Sequence, residues 1–91
     1  MALKIRQATR FRRDIKRLQR QNANLSRLQT IIKQLADELP LEARYRDHQL
    51  TGNWRGFREC HIQPDWLLIY RVEDGELQLA RTGTHSDLFG S

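Results

Sequence analysis

Three histidines and one aspartate, His48, His61, Asp65 and His85, carry the widest chemical range in this chain. Histidine ordinarily titrates close to neutral pH, so it can take a proton at one step of a reaction and return it at another. Taken singly, a histidine is most often a surface or capping residue. Asp65, directly after Pro64, has the position of a turn residue bonded to its own backbone. Their joint placement argues for more. All three histidines follow residue 47, with His48 in a polar loop, His61 toward a strand end and His85 just past the last strand. Ends of neighbouring strands lie about 5 Å apart, so a loop, a strand end and a tail can meet on one rim of a sheet. Asp65 and Trp66, in the turn after His61, join that rim.

Such a cluster fits the cleavage of RNA. The substrate supplies its own nucleophile, the 2′-hydroxyl, so the protein needs only a base, an acid for the departing 5′-oxygen, and cations to hold the phosphate. Arg81 precedes the His85 tail, and Arg55 and Arg58 flank Phe57; each has the fork of donors that grips phosphate. Trp66 and Phe89 offer rings for stacking on a displaced base, although core packing is the ordinary role of a tryptophan beside an apolar strand. A His/Asp cluster also suits zinc. The spacing, however, holds no HxH or HExxH pair and Cys60 has no cysteine partner, so neither metal nor cofactor is expected. The absence of a Walker loop, GxGxxG or GxSxG leaves nucleotide hydrolysis and serine-hydrolase chemistry unsupported.

The elements that must position these residues follow from periodicity. Lys4 to Ala8 alternates polar and apolar side chains, as in a short strand, and Thr9 stands where a helix N-cap would be. Phe11, Ile15 and Leu18 share one helix face, while Arg12, Arg13, Lys16, Arg17 and Arg20 cover the rest. That basic face suits RNA or an acidic partner as well as it suits plain solvation. Leu25, Leu28, Ile32, Leu35 and Leu39 recur at helical spacing, and Pro40 stops the second helix. Leu41 to Asn53 reads as an ordered loop. Trp54 to Ile62 and the apolar run from Trp66 to Val72 read as strands, and Asp74-Gly75 is a hairpin turn before a returning strand, Leu77 to Thr82. The tail from Gly83 to Gly90 is patterned but polar. The expected architecture is α+β, β-α-α-β-β-β, with two helices packed on an antiparallel sheet in one domain over residues 1–91.

Composition agrees with this picture. In 91 residues with net charge +5, thirteen arginines outnumber three lysines, and arginine binds phosphate with paired hydrogen bonds where lysine offers a point charge. One cysteine forms no internal disulfide, and the first residues show no apolar run of the kind that marks secretion, so a reducing cytoplasm is expected. No stretch approaches the ~20 apolar residues of a membrane span.

Three stretches resemble a known family. Tyr45-Arg46-Asp47-His48-Gln49-Leu50-Thr51-Gly52-Asn53-Trp54-Arg55-Gly56-Phe57-Arg58, then His61-Ile62-Gln63-Pro64-Asp65-Trp66-Leu67-Leu68-Ile69-Tyr70, and finally Arg81-Thr82-Gly83-Thr84-His85-Ser86-Asp87-Leu88-Phe89-Gly90 look like the YafQ branch of the RelE/ParE toxin superfamily. The match is close in the second half of the chain and one of pattern in the first. The resemblance implies a RelE-like fold and a ribosome-dependent endonuclease that cuts messenger RNA in the A site. It also implies a toxin that is monomeric within its complex with a ribbon-helix-helix antitoxin of the DinJ kind. The family's site falls on His48, His61, Asp65, Trp66, His85 and Phe89. It further suggests His85 as general acid, His48 or Asp65 as base, and His61 as the residue that orients the phosphate. A ParE-like toxin without nuclease activity, or an RNA-binding module, would share the fold without needing acid–base residues, and the histidine set argues against both.

Overall fold

The computed structural model describes residues 2–90, so the first and last residues of the expected domain lie outside the described residues. Strand β1 (Lys4–Gln7) leads into helices α1 (Thr9–Arg20) and α2 (Leu25–Ala36). A 3-10 turn at Ala43–Tyr45, strand β2 (His48–Gln49) and a second 3-10 turn at Gly52–Trp54 come next. Strands β3 (Arg58–Gln63), β4 (Trp66–Glu73) and β5 (Glu76–Gly83) and a closing helix α3 (His85–Phe89) complete the chain. The five strands form one sheet in the order β1-β5-β4-β3-β2, with β1 parallel to β5 and every other pair antiparallel. The parallel β1 makes the sheet mixed rather than wholly antiparallel. The two helices carry the chain from the end of β1 back across the sheet, as a parallel connection requires.

β4, in the centre, is buried from Trp66 to Tyr70 on both faces, which explains its unbroken apolar run. Beneath α1 and α2, Phe11, Leu18, Leu28, Ile31 and Leu35 pack on Cys60, Ile62, Leu68, Tyr70, Leu77 and Leu79. The opposite face holds a smaller core of Leu67, Ile69 and Leu88, covered by Leu50, Trp54, Phe57 and Ala80. Asp74 (φ 53) and Gly75 (φ 74) both take positive φ between β4 and β5, the pair a type I′ turn demands.

Several boundaries differ from the sequence reading. α1 has Ala8, not Thr9, at its N-cap, without a side-chain bond; the Ala8 N–H instead donates to the Leu79 carbonyl at 3.0 Å and fixes the helix start to β5. α2 stops at Ala36 rather than reaching Leu39. Glu38 turns to φ 58 there, and the N–H groups of Glu38 and Leu39 cap the carbonyls of Leu35 and Gln34 at 3.0 Å each. This is a Schellman ending without the usual glycine, so Leu39 leaves the core face and is 53% exposed. β3 starts at Arg58, because Trp54 closes a 3-10 turn and lies edge-on to Phe57 over the smaller core, their ring centroids 5.3 Å apart. The polar tail folds as α3, closed by a capping box in which the Thr84 hydroxyl accepts from the Asp87 N–H and the Asp87 carboxylate accepts from the Thr84 N–H. Among the described residues no helix is long and apolar enough to cross a membrane.

Candidate active site

Alternation along β3 puts Glu59 and His61 on one face of the sheet, and the antiparallel register sets His48 opposite Glu59. The start of α3 brings His85 beside them. The rings form a row, with centroids 6.4 Å apart from His48 to His61, 6.0 Å from His61 to His85 and 6.3 Å from His85 to Phe89. His48, His61, Asp65 and His85 thus gather on one rim, and Phe89, 43% exposed, ends the row.

At one end, Asp65 Oδ1 accepts from the His85 backbone N–H at 3.2 Å and lies 2.9 Å from His85 Nδ1. The hydrogen bond from the His85 ring, then that from its backbone, hold the Asp65 carboxyl below its ordinary value, so it stays ionised. An ionised carboxylate only accepts, which places the proton on Nδ1 and turns Nε2 outward.

At the other end, His48 Nδ1 lies 2.6 Å from the Arg46 carbonyl. A carbonyl also only accepts, so Nδ1 is the donor here too, and Nε2 faces Glu59 Oε1 at 3.5 Å. Arg46 makes this contact from a left-handed conformation, φ 48 and ψ 45, which costs a non-glycine residue roughly 1–2 kcal/mol. Glu59 is a candidate site residue that the sequence reading did not name. Although 5% exposed, it touches both His48 and His61, each Nε2 at 3.5 Å from its Oε1. Its position two residues before His61 in a strand was the available signal.

The other expected contacts are distributed differently. Trp66 is 7% exposed, and its indole N–H donates to the Thr82 hydroxyl at 2.9 Å, which in turn donates to the Leu67 carbonyl at 2.7 Å. A ring pinned in the core in this way has no free face for a base, so Trp66 supports the rim from beneath.

Arg81, expected to hold phosphate, and Arg17, expected on a helix face turned to RNA or an acidic partner, close on buried Asp14 instead. Arg81 donates through Nε and Nη2 at 2.8 and 2.9 Å, Arg17 through Nη1 at 2.8 Å, and the Thr82 N–H adds a bond at 3.1 Å. Burial alone would raise the Asp14 carboxyl, but the bonds from Arg81, Thr82 and Arg17 outweigh it and hold it below its ordinary value. Arg17 Nη2 also reaches the Thr82 carbonyl at 2.9 Å and Asp87 at 3.6 Å, which ties α1 to α3. Gly83 leaves room for that guanidinium, since a Cβ there would stand 2.6 Å from Arg17 Nη2.

Arg58 Nε donates to Asp47 Oδ1 at 3.1 Å, and the Tyr70 hydroxyl donates to the same oxygen at 2.5 Å. Burial, then the Asp47 carboxylate, push the Tyr70 hydroxyl up, so it stays a donor that anchors the approach to His48. Arg55 borders a groove with Gln49, Phe57 and Val72 that none of the histidines lines. Arg12, Arg13 and Lys16 remain on the solvent face of α1. Cys60, fully buried, has its thiol pushed up chiefly by burial and is inert.

Residues 3–90 match the model of a family described as the bacterial toxin of type II toxin-antitoxin systems, YafQ. The chain belongs to the YafQ toxin family. The mRNA interferase toxin YafQ of Escherichia coli (strain K12) is 42% identical over 81 residues, 88% of each chain. A YafQ chain in the crystal structure of the E. coli DinJ-YafQ toxin-antitoxin complex superposes with a TM-score of 0.90 at 38% identity, covering 99% of this chain and 100% of that one. A metal-bound toxin from Helicobacter pylori gives a TM-score of 0.90 at 40% identity, over 96% of this chain and 99% of that one. Within this YafQ fold, no group of three or more His, Cys, Asp or Glu among the described residues is arranged to hold a metal ion.

Proposed function

We propose that this YafQ-family toxin is an endoribonuclease that cuts messenger RNA in the ribosomal A site by 2′-hydroxyl attack, without a metal ion, using His48, His61, Asp65 and His85. The observation that carries the reading is the row of three imidazoles about 6 Å apart, with Asp65 fixed behind His85 and Glu59 facing Nε2 of both His48 and His61. Such a row can place one nitrogen on each side of a phosphodiester.

The base is His48. Its Nε2 lone pair takes the 2′-proton as O2′ bonds to phosphorus, and the imidazolium that forms faces Glu59, which stabilises it. The P–O5′ bond breaks as His85, entering the step as the imidazolium with its Nδ1–H on Asp65, hands its Nε2 proton to the 5′-oxygen, leaving a 2′,3′-cyclic phosphate and a free 5′-hydroxyl. Asp65 accepts from His85 Nδ1–H, which turns Nε2 toward the leaving oxygen and supports the charged ring, so Asp65 is the orienting residue rather than the base. His61, between the two, hydrogen-bonds the phosphate oxygens, and Phe89 stacks on an unpaired base.

The relatives solved with DinJ support a DinJ-like ribbon-helix-helix antitoxin as partner, and the cytoplasm is the compartment that this reading of a ribosomal target implies. The test is cleavage of message on purified programmed ribosomes. Wild type should cut and His85→Ala should bind ribosomes without cutting; an uncut message with the wild type sinks the reading.

A further inference from the structure

β2 pairs with β3 only at Arg58 and Glu59, so the outer edge of β3 from Cys60 onward has no neighbouring strand. A groove of about 380 Å³ opens beside that edge, bordered by Arg27 of α2, Arg44 and Tyr45 of the first 3-10 turn, Arg46 just after it, and His61 and Gln63. Three arginines therefore border it, no acidic residue lines the groove, and its end is the central histidine of the row.

These arginines are available. Among the described residues the side chains of Arg27 and Arg46 make no hydrogen bond or ion pair. Arg44 lies over the Tyr45 ring at 4.8 Å, donates to the Tyr45 hydroxyl at 2.8 Å and meets Glu42 at 3.5 Å in a pair 68% exposed on each side, which water screens and a phosphate can displace. They contrast with Arg17 and Arg81, which buried Asp14 holds in place. The left-handed bend at Arg46 aims its carbonyl at His48 while the residue borders the groove.

We propose that this groove is a phosphodiester subsite, in which Arg27, Arg44 and Arg46 hold the RNA backbone adjoining the bond broken at the histidine row. It rests on the ribonuclease reading and adds where the strand runs: past His61, along the open edge of β3, toward α2. An unlined run of cations that ends at the reacting phosphate fits a continuous polyanion; an acidic protein segment would match the charge without any reason to pass His61.

The test measures binding of a short, fully 2′-O-methylated single-stranded RNA, which cannot be cut by 2′-attack, to the free toxin across a salt series. The variant is Arg27→Gln with Arg46→Asn; asparagine accepts the left-handed conformation at 46, and among the described residues neither guanidinium makes a hydrogen bond or ion pair. Affinity should fall roughly tenfold, and the slope of log affinity against log salt should flatten by about 1.4, some 0.7 for each phosphate contact removed. Lysine at both positions should restore most of the slope. Equal affinity and slope in wild type and variant overturn the subsite, as does a wild type that fails to bind this RNA at low salt. Loss of antitoxin affinity with RNA binding intact would assign the arginines to a protein partner and overturn it as well. Since nothing is cut in this experiment, its failure is distinct from an uncut message on ribosomes.

Discussion

One oxygen of Asp65 receives both the backbone N–H and the ring nitrogen of His85, so a single exposed carboxylate fixes the start of α3 and the tautomer of its first side chain. The bond from His85 lowers the Asp65 carboxyl, so the carboxylate is favoured in the folded state. Its contribution is complete above the ordinary value of 3.8 and is lost only as pH falls through the lower folded value. Nitrogen NMR of His85 should therefore show a bonded Nδ1–H from neutral pH down to about pH 4 and its release only below. Asp65→Asn should remove that signature at neutral pH and slow cleavage roughly 10- to 100-fold, less than the 10²–10⁴-fold expected for loss of the acid itself. An unchanged Nδ1 signal in the Asp65→Asn variant would show that the carboxylate does not set the tautomer.

Glu59 makes a second, opposite prediction about binding and rate. Glu59→Gln keeps the side-chain shape and removes the charge that faces His48 and His61. If that charge stabilises the imidazolium formed as the 2′-proton leaves, kcat on programmed ribosomes should drop tenfold or more while KM stays within about twofold. A rise in KM with kcat intact would make Glu59 a binding group instead.

Asp14 governs stability. Removing one partner of a buried ion pair leaves the rest uncompensated, and Asp14→Ala, which strands Arg17 and Arg81, should destabilise the fold by about 3 kcal/mol in denaturant melts. Because the Asp14 carboxyl is lowered on folding, its contribution is present above 3.8 and disappears as pH falls through the folded value. The acid limb of wild-type stability should accordingly be steeper than that of Asp14→Asn. Equal limbs would mean that the arginines and Thr82 do not hold Asp14 ionised.

Much of this was legible in the sequence, and the losses have physical causes. Period-2 and period-3.6 patterns gave both helices and the long strands because those elements bury one or two apolar faces. The Asp74-Gly75 turn was readable because positive φ restricts residue choice. By contrast, α2 ends in a left-handed Glu38 that no glycine announces, and α3 is held by a capping box too short to show periodicity. At the site, the histidines were identifiable one by one, but their supports were not. Asp14 interrupts the buried face between Phe11 and Leu18, and Glu59 shares a strand face with His61; each acquires its role from arginines or a histidine that only the folded chain brings near. Arginine type alone could not separate Arg17 and Arg81, bound to Asp14, from Arg27 and Arg46, which are free.

Trp66 and Phe89 were both sequence candidates for base stacking, with core packing the ordinary expectation for Trp66, and their surroundings now separate them. Trp66 is buried and bonded to Thr82, so Trp66→Phe removes a hydrogen bond and some packing, and should lower stability by about 1–2 kcal/mol while kcat/KM at a temperature well below Tm changes less than threefold. Phe89 is 43% exposed at the end of the histidine row, so Phe89→Ala should leave the melting temperature within a few degrees yet reduce kcat/KM about tenfold through loss of one stacked base, worth about 1–3 kcal/mol. Thermal melts paired with cleavage kinetics on the same two variants decide between the roles. The reversed pattern, with Trp66→Phe stable but inactive and Phe89→Ala active, would return the base contact to the tryptophan and require the Thr82 bond to open when RNA binds.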